Sequence, residues 1–173
     1  MLPIGRQLNS PSINAQGLGN INERIPLDWR QVRVQQDGQN WKLVYAGYVL
    51  ADFGKNEPEA KRALGVVQHY RFSEQCLVGR PKPSLTYYLV GGQAPRGVLI
   101  GVNATSFQAE TLSLQWRGNK WAIVDGYRPL MEFGDKPEEA KQAMQAIKQQ
   151  KFDTICRVGA SDAPGMTFLV RTR

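Results

Sequence analysis

The chain has 173 residues, 42% of them apolar and 21% charged, a balance that belongs to globular proteins and excludes a disordered one. Twenty-two Lys and Arg against fifteen Asp and Glu give a net charge of +7, enough to attract polyanions without marking them as the partner. Two cysteines and one histidine cannot assemble the usual Cys/His zinc sets, and no apolar run approaches the roughly 20 residues of a membrane-spanning helix.

The start, Met1-Leu-Pro-Ile-Gly-Arg6, lacks the apolar centre of a signal peptide. That leaves a cytoplasmic protein, or a mature secreted form whose leader has been replaced by Met1. Residues 1–14 show no periodicity and are expected to form a flexible tail. Beyond them one shift organises the chain. Trp121 repeats Trp41 eighty positions later, and the same step carries Gly38 to Gly118, Phe53-Gly54 to Phe133-Gly134 and Ala60-Lys61 to Ala140-Lys141. It also carries Phe72 to Phe152, Cys76 to Cys156, Val78-Gly79 to Val158-Gly159 and Leu89-Val90 to Leu169-Val170, with no gap. The chain therefore reads as a tandem duplication, residues 15–94 followed by residues 95–173.

In chain order each repeat opens on a strand: residues 32–36 and 112–116 alternate apolar and polar. The turns Asp37-Gly38-Gln39-Asn40 and Arg117-Gly118-Asn119-Lys120 follow, with glycine free to take positive φ. A second strand runs from Trp41 or Trp121 towards Phe53 or Phe133, with a break near Gly47 and Pro129. A helix comes next. Asn56 with Glu59, and Asp135 with Glu138, have capping-box spacing, and Pro58 and Pro137 suit a first turn. Ala60, Ala63, Leu64 and Val67 form one apolar stripe, and Ala140, Ala143, Met144 and Ile147 form the other. Closing strands fall near 75–79 and 85–91, and near 155–159 and 166–171. The predicted class is α+β: two tandem β-β-α-β-β repeats, antiparallel sheet or sheets, one helix per repeat. Pseudo-two-fold packing is expected because one repeat has too small a core alone.

Cys76 and Cys156 occupy equivalent, inward positions. They could be a nucleophile, a disulfide across the axis, or small buried hydrophobes, and the last is favoured. A catalytic thiol would want a histidine; the only one is His69, whose equivalent is Gln149. Asp52 and Glu132, before Phe-Gly, serve as easily as strand-end groups. No phosphate-cradling loop is present. The chain is read as not an enzyme, with no catalytic residue, cofactor or metal site.

Surface that the repeats do not share is where a function could have diverged. Trp29 aligns with Ala109, Tyr48 with Arg128, Tyr87 with Thr167 and Trp116 with Gln36, while Tyr127 flanks the Asp125-Gly126 turn. Arg80 heads a stiff basic loop, Arg80-Pro81-Lys82-Pro83, matched in the second repeat by Ala160-Ser161-Asp162-Ala163. Trp29, Tyr48, Arg80, Tyr87, Trp116 and Tyr127 are the expected ligand-binding set, the aromatics stacking and Arg80 donating directional hydrogen bonds. The expected function is a non-enzymatic binding module for a polymeric or cell-surface ligand, carbohydrate first. The alternatives are nucleic-acid binding through the scattered basic residues, and a structural or protein-interaction scaffold.

The order Trp121-Ala-Ile-Val-Asp-Gly-Tyr127, then Phe133-Gly134, then an Ala-rich helix, then Phe72-x-x-x-Cys76-x-Val78-Gly79-Arg80-Pro81 resembles a repeat module of bacterial proteins. The resemblance implies the duplicated architecture and transfers no site. Each half departs from the fuller pattern: the first has Tyr45-Ala46 for Asp125-Gly126, and the second lacks Arg-Pro.

Overall fold

In the computed structural model, which describes residues 22–79, 82–159 and 165–173, both halves carry the same elements in the same order. The expected tail at 1–14 lies outside the described residues. The first half runs β1 (Asn22–Pro26), a 3-10 turn (Trp29–Gln31), β2 (Arg33–Asp37), β3 (Asn40–Tyr45), β4 (Tyr48–Asp52), α1 (Glu57–Tyr70), β5 (Glu74–Val78) and β6 (Leu85–Leu89). The second runs β7 (Asn103–Ser106), a 3-10 turn (Ala109–Thr111), β8 (Leu112–Arg117), β9 (Lys120–Asp125), β10 (Arg128–Glu132), α2 (Pro137–Gln150), β11 (Thr154–Val158) and β12 (Met166–Val170). The class is α+β with small antiparallel sheets. Each repeat has two strands more than β-β-α-β-β: the second strand divides into β3 and β4, or β9 and β10, and an opening strand precedes the first turn.

Each half makes two three-stranded sheets. One is a meander, β2-β3-β4 or β8-β9-β10; the other places β5 between β1 and β6, or β11 between β7 and β12. The repeated Trp and Phe-Gly close each meander through the backbone. Trp41 N–H donates to Gly54 C=O and Phe53 N–H to Trp41 C=O; Trp121, Gly134 and Phe133 repeat the pair at 2.7 and 2.8 Å. Asp52 accepts from Gly54 N–H (2.8 Å) and Glu132 pairs with Lys120 (2.9 Å), both strand-end roles. Asn56 caps α1 by accepting from Glu59 N–H (3.2 Å). The Asp135–Glu138 box does not form, because α2 starts at Pro137 and the cap position falls to Lys136, which has no acceptor to offer.

The gapless repeat ends at Gly79 and Gly159. Cys76 pairs with Tyr87 across β5 and β6, whereas Cys156 pairs with Phe168 across β11 and β12. The second hairpin loop holds one residue more, so Tyr87 corresponds to Phe168 and Tyr88 to Leu169.

The cores cross between the halves. Core 1 combines α1 and its meander (Leu43, Phe53, Ala63, Val67) with Cys156, Val158, Met166, Phe168 and Val170 of the second half. Core 2 combines α2 and its meander (Ile123, Phe133, Ala143, Ile147) with Cys76, Val78, Leu85, Tyr87 and Leu89 of the first. Equivalent residues such as Tyr87 and Phe168 thus face opposite ways. That exchange is what a pseudo-two-fold relation between the repeats produces, and the edge strands β6 and β12 are neighbours between the halves.

Candidate functional site

No hydrogen-bonded ladder joins β6 to β12. Where these two strands begin, a groove of about 530 Å³ opens between the halves. Its floor is apolar and buried: Leu85 and Tyr88 from β6, Met166 from β12, Ile155 from β11. Leu50 of β4 and Leu130 and Met131 of β10, all half-buried, form the walls. Thr86, Thr167, Glu132 and Arg157 add polar groups.

Two carboxylates hold the closing hairpins. Glu59, in the first turn of α1, accepts from Gly159 N–H (2.8 Å) and pairs with Arg62 (3.1 Å). Its repeat Glu139, in the first turn of α2 and buried, accepts from Ser84 Oγ. Each helix thereby holds the closing hairpin of the other half. Sequence reasoning missed this role by assigning Glu59 to local capping; the signal was the shared recurrence of Glu59/Glu139 with Gly79/Gly159.

Of the six expected binding residues, the five that are described, Trp29, Tyr48, Tyr87, Trp116 and Tyr127, do not line the groove. Tyr87 is a correction: it is 2% exposed, packed edge-to-face on Phe152 with centroids 5.6 Å apart. It looked unshared only because the gapless shift set it against Thr167 rather than its true counterpart Phe168. Trp29 is half-buried against core 1, and Arg30 and Arg71 already sit over its ring at 5.9 and 5.5 Å. Tyr48, Trp116 and Tyr127 are exposed by 54%, 52% and 96%. Tyr48 opens β4, Trp116 pairs edge-to-face with Trp121 near the end of β8, and Tyr127 lies in the turn before β10, its carbonyl accepting from Arg117 (3.2 Å). Arg80 lies outside the described residues.

Cys76 and Cys156 are free and fully buried, one in each core, so the fold keeps them apart. Burial pushes both thiols up to about 11, and a protonated, enclosed thiol is a poor nucleophile. His69, the histidine considered for a thiol, is exposed on α1.

A second cleft, of about 540 Å³, contains Asp125 and Asp153. Both are engaged by their own chain. Asp125 accepts from Thr111 Oγ (2.7 Å) and Arg128 (3.2 Å). Asp153 accepts from Thr172 N–H (3.0 Å), Arg173 N–H (3.2 Å) and Thr154 Oγ (2.9 Å). Burial alone would raise its pKa; these hydrogen bonds outweigh that and hold it below the ordinary value. Ser73 does the same work in the first half, accepting from Gly91 N–H (2.8 Å). Asp153 secures the chain as it leaves β12, and Asp125 ties the second 3-10 turn to the start of β10.

Among the described residues no group of three His, Cys, Asp or Glu side chains could hold a metal ion, and no helix is long and apolar enough to cross a membrane. No protein-family model, curated protein or solved structure matches this chain.

Proposed function

We propose that the protein is a non-catalytic binding module that takes an extended polypeptide in the groove between the halves. The observation carrying this reading is the pair of sheet edges, β6 and β12, that neighbour each other without a ladder where the groove opens. An extended chain presents a backbone donor and acceptor at every residue and side chains on alternating sides, which is what a strand edge with small pockets recognises. The volume falls in the usual range for a ligand cleft and admits a short segment rather than a folded domain. Leu50, Leu130 and Met131 offer an apolar pocket, and Arg157 and Glu132 flank it with charges of opposite sign.

Panning a random-peptide phage library on the whole chain tests it. Enriched peptides should lose at least tenfold in affinity with Leu130→Asp and with Thr167→Trp, which fills the groove, and keep it with Trp116→Ala. Peptides that bind the two groove variants as tightly as the parent would remove the proposal.

Carbohydrate binding through Tyr48, Trp116 and Tyr127 is a second reading, supported by their exposure. It is placed second because the one ring lining the groove, Tyr88, is 1% exposed. A glycan array whose hits vanish in Trp116→Ala and persist in Leu130→Asp would reverse the order. Nucleic-acid binding would announce itself by affinity falling steeply with salt.

A further inference from the structure

We infer that a second copy of this chain can replace either half, giving an exchanged dimer in which every core and every groove is completed in trans. The inference does not depend on the peptide reading. It rests on how each half is finished. Core 1 lacks a wall without Cys156, Val158, Met166, Phe168 and Val170, and core 2 lacks one without Cys76, Val78, Leu85, Tyr87 and Leu89. The polar ties are equally reciprocal: Glu59 to Gly159, Glu139 to Ser84. None of these contacts depends on both halves belonging to one chain.

The covalent tie is residues 90–102. It is held by Tyr70 Oη donating to Gly97 C=O (2.7 Å), Arg62 to Gly101 C=O (3.3 Å), Gly91 N–H to Ser73 Oγ (2.8 Å), Gln150 to Gly92 C=O (3.4 Å) and a short pairing with Arg171, with Ala94 buried in core 2 and Val90, Leu99 and Val102 packed against core 1. Fully extended it reaches about 40 Å, far enough to join a neighbouring unit. An exchanged dimer therefore keeps the contacts between the folded elements of the two halves and gives up only those this segment makes, the condition under which swapping is favoured.

The shared cores also fix the route. A half that swings away exposes its own core and its partner's together, so no opened monomer with two folded halves exists. Exchange then requires passage through the unfolded chain, and monomer and dimer persist side by side in native buffer.

The test uses two full-length copies with different tags. Mixed when folded, they should stay separate and monomeric. Unfolded together in urea and refolded at high concentration, they should yield dimers of twice the monomer mass carrying both tags and stable to dilution. Monomers alone at every refolding concentration would overturn the inference, as would doubly tagged dimers formed on native mixing, which place the contact on an outer surface. If the concentrated chains precipitate, a chain lacking residues 98–101, refolded dilute, decides: its shortened tie should drive it to dimer, and a monomer refutes the exchange.

Discussion

The Glu139 carboxylate fills the space that a side chain on Gly79 would need. The two residues belong to different halves, one in the first turn of α2 and the other where β5 gives way to its hairpin loop. Gly79 also has φ +100, a backbone state that L side chains rarely adopt. Ser84, on the same loop, donates to the same carboxylate.

Gly79→Ala should therefore cost about 2 kcal/mol or more, through backbone strain and through expulsion of a buried carboxylate from its partner. Glu139→Ala removes the overlap and leaves the strain, so the double variant should lose less than the two single losses added together. Urea midpoints at one pH measure all three. Strict additivity would mean that the carboxylate and Gly79 do not meet. The transition should stay single in every variant, because both cores share one seam.

The buried thiols set the alkaline limit. Cys76 and Cys156 are pushed up to about 11 by burial, whereas an unfolded thiol titrates near 8.5. Tyr87 and Tyr88, also raised by burial, reach about 12. The folded state thus keeps protons that the unfolded chain releases. This contribution is complete below about pH 8.5 and declines as pH rises from 9 towards 11. Urea midpoints at pH 7, 9 and 10 should fall in that order. At pH 8 iodoacetamide should label the thiols only once urea unfolds the chain; native labelling at the denatured rate would contradict their enclosure.

What the sequence discloses here is what is local along the chain. The helix stripes, the glycine turns and the Trp…Phe-Gly closure each depend on residues a few positions apart or on a repeated backbone pairing, so the shift of eighty exposes them. The opening strands do not appear: Asn22-Glu-Arg-Ile-Pro26 and Asn103-Ala-Thr-Ser106 form ladders on β5 and β11 without any apolar alternation. The hairpin slip was hidden for another reason. Residues 87–89 and 168–170 are buried on both faces of their strands, and a continuous apolar run has no alternation to fix its register. Leu89-Val90 still matches Leu169-Val170 one residue out of step, which sets Tyr87 against Thr167 instead of Phe168. The groove lies between segments far apart in sequence, so no local pattern points to Leu50 and Leu130 lining one groove.

The two helices differ where their sequences differ, at the cap. Asn56 supplies an acceptor to the first turn of α1, while Lys136 at the same place in α2 supplies none and adds a positive charge to the positive end of the helix dipole. Its contact with Glu139 is 3.9 Å and half-exposed, too loose to offset that. Lys136→Asn should therefore raise stability by about 1 kcal/mol, and Asn56→Ala should lower it by a similar amount. Urea denaturation of both variants checks the pair. A Lys136→Asn midpoint at or below that of the parent would mean that the α2 terminus finds its acceptor elsewhere.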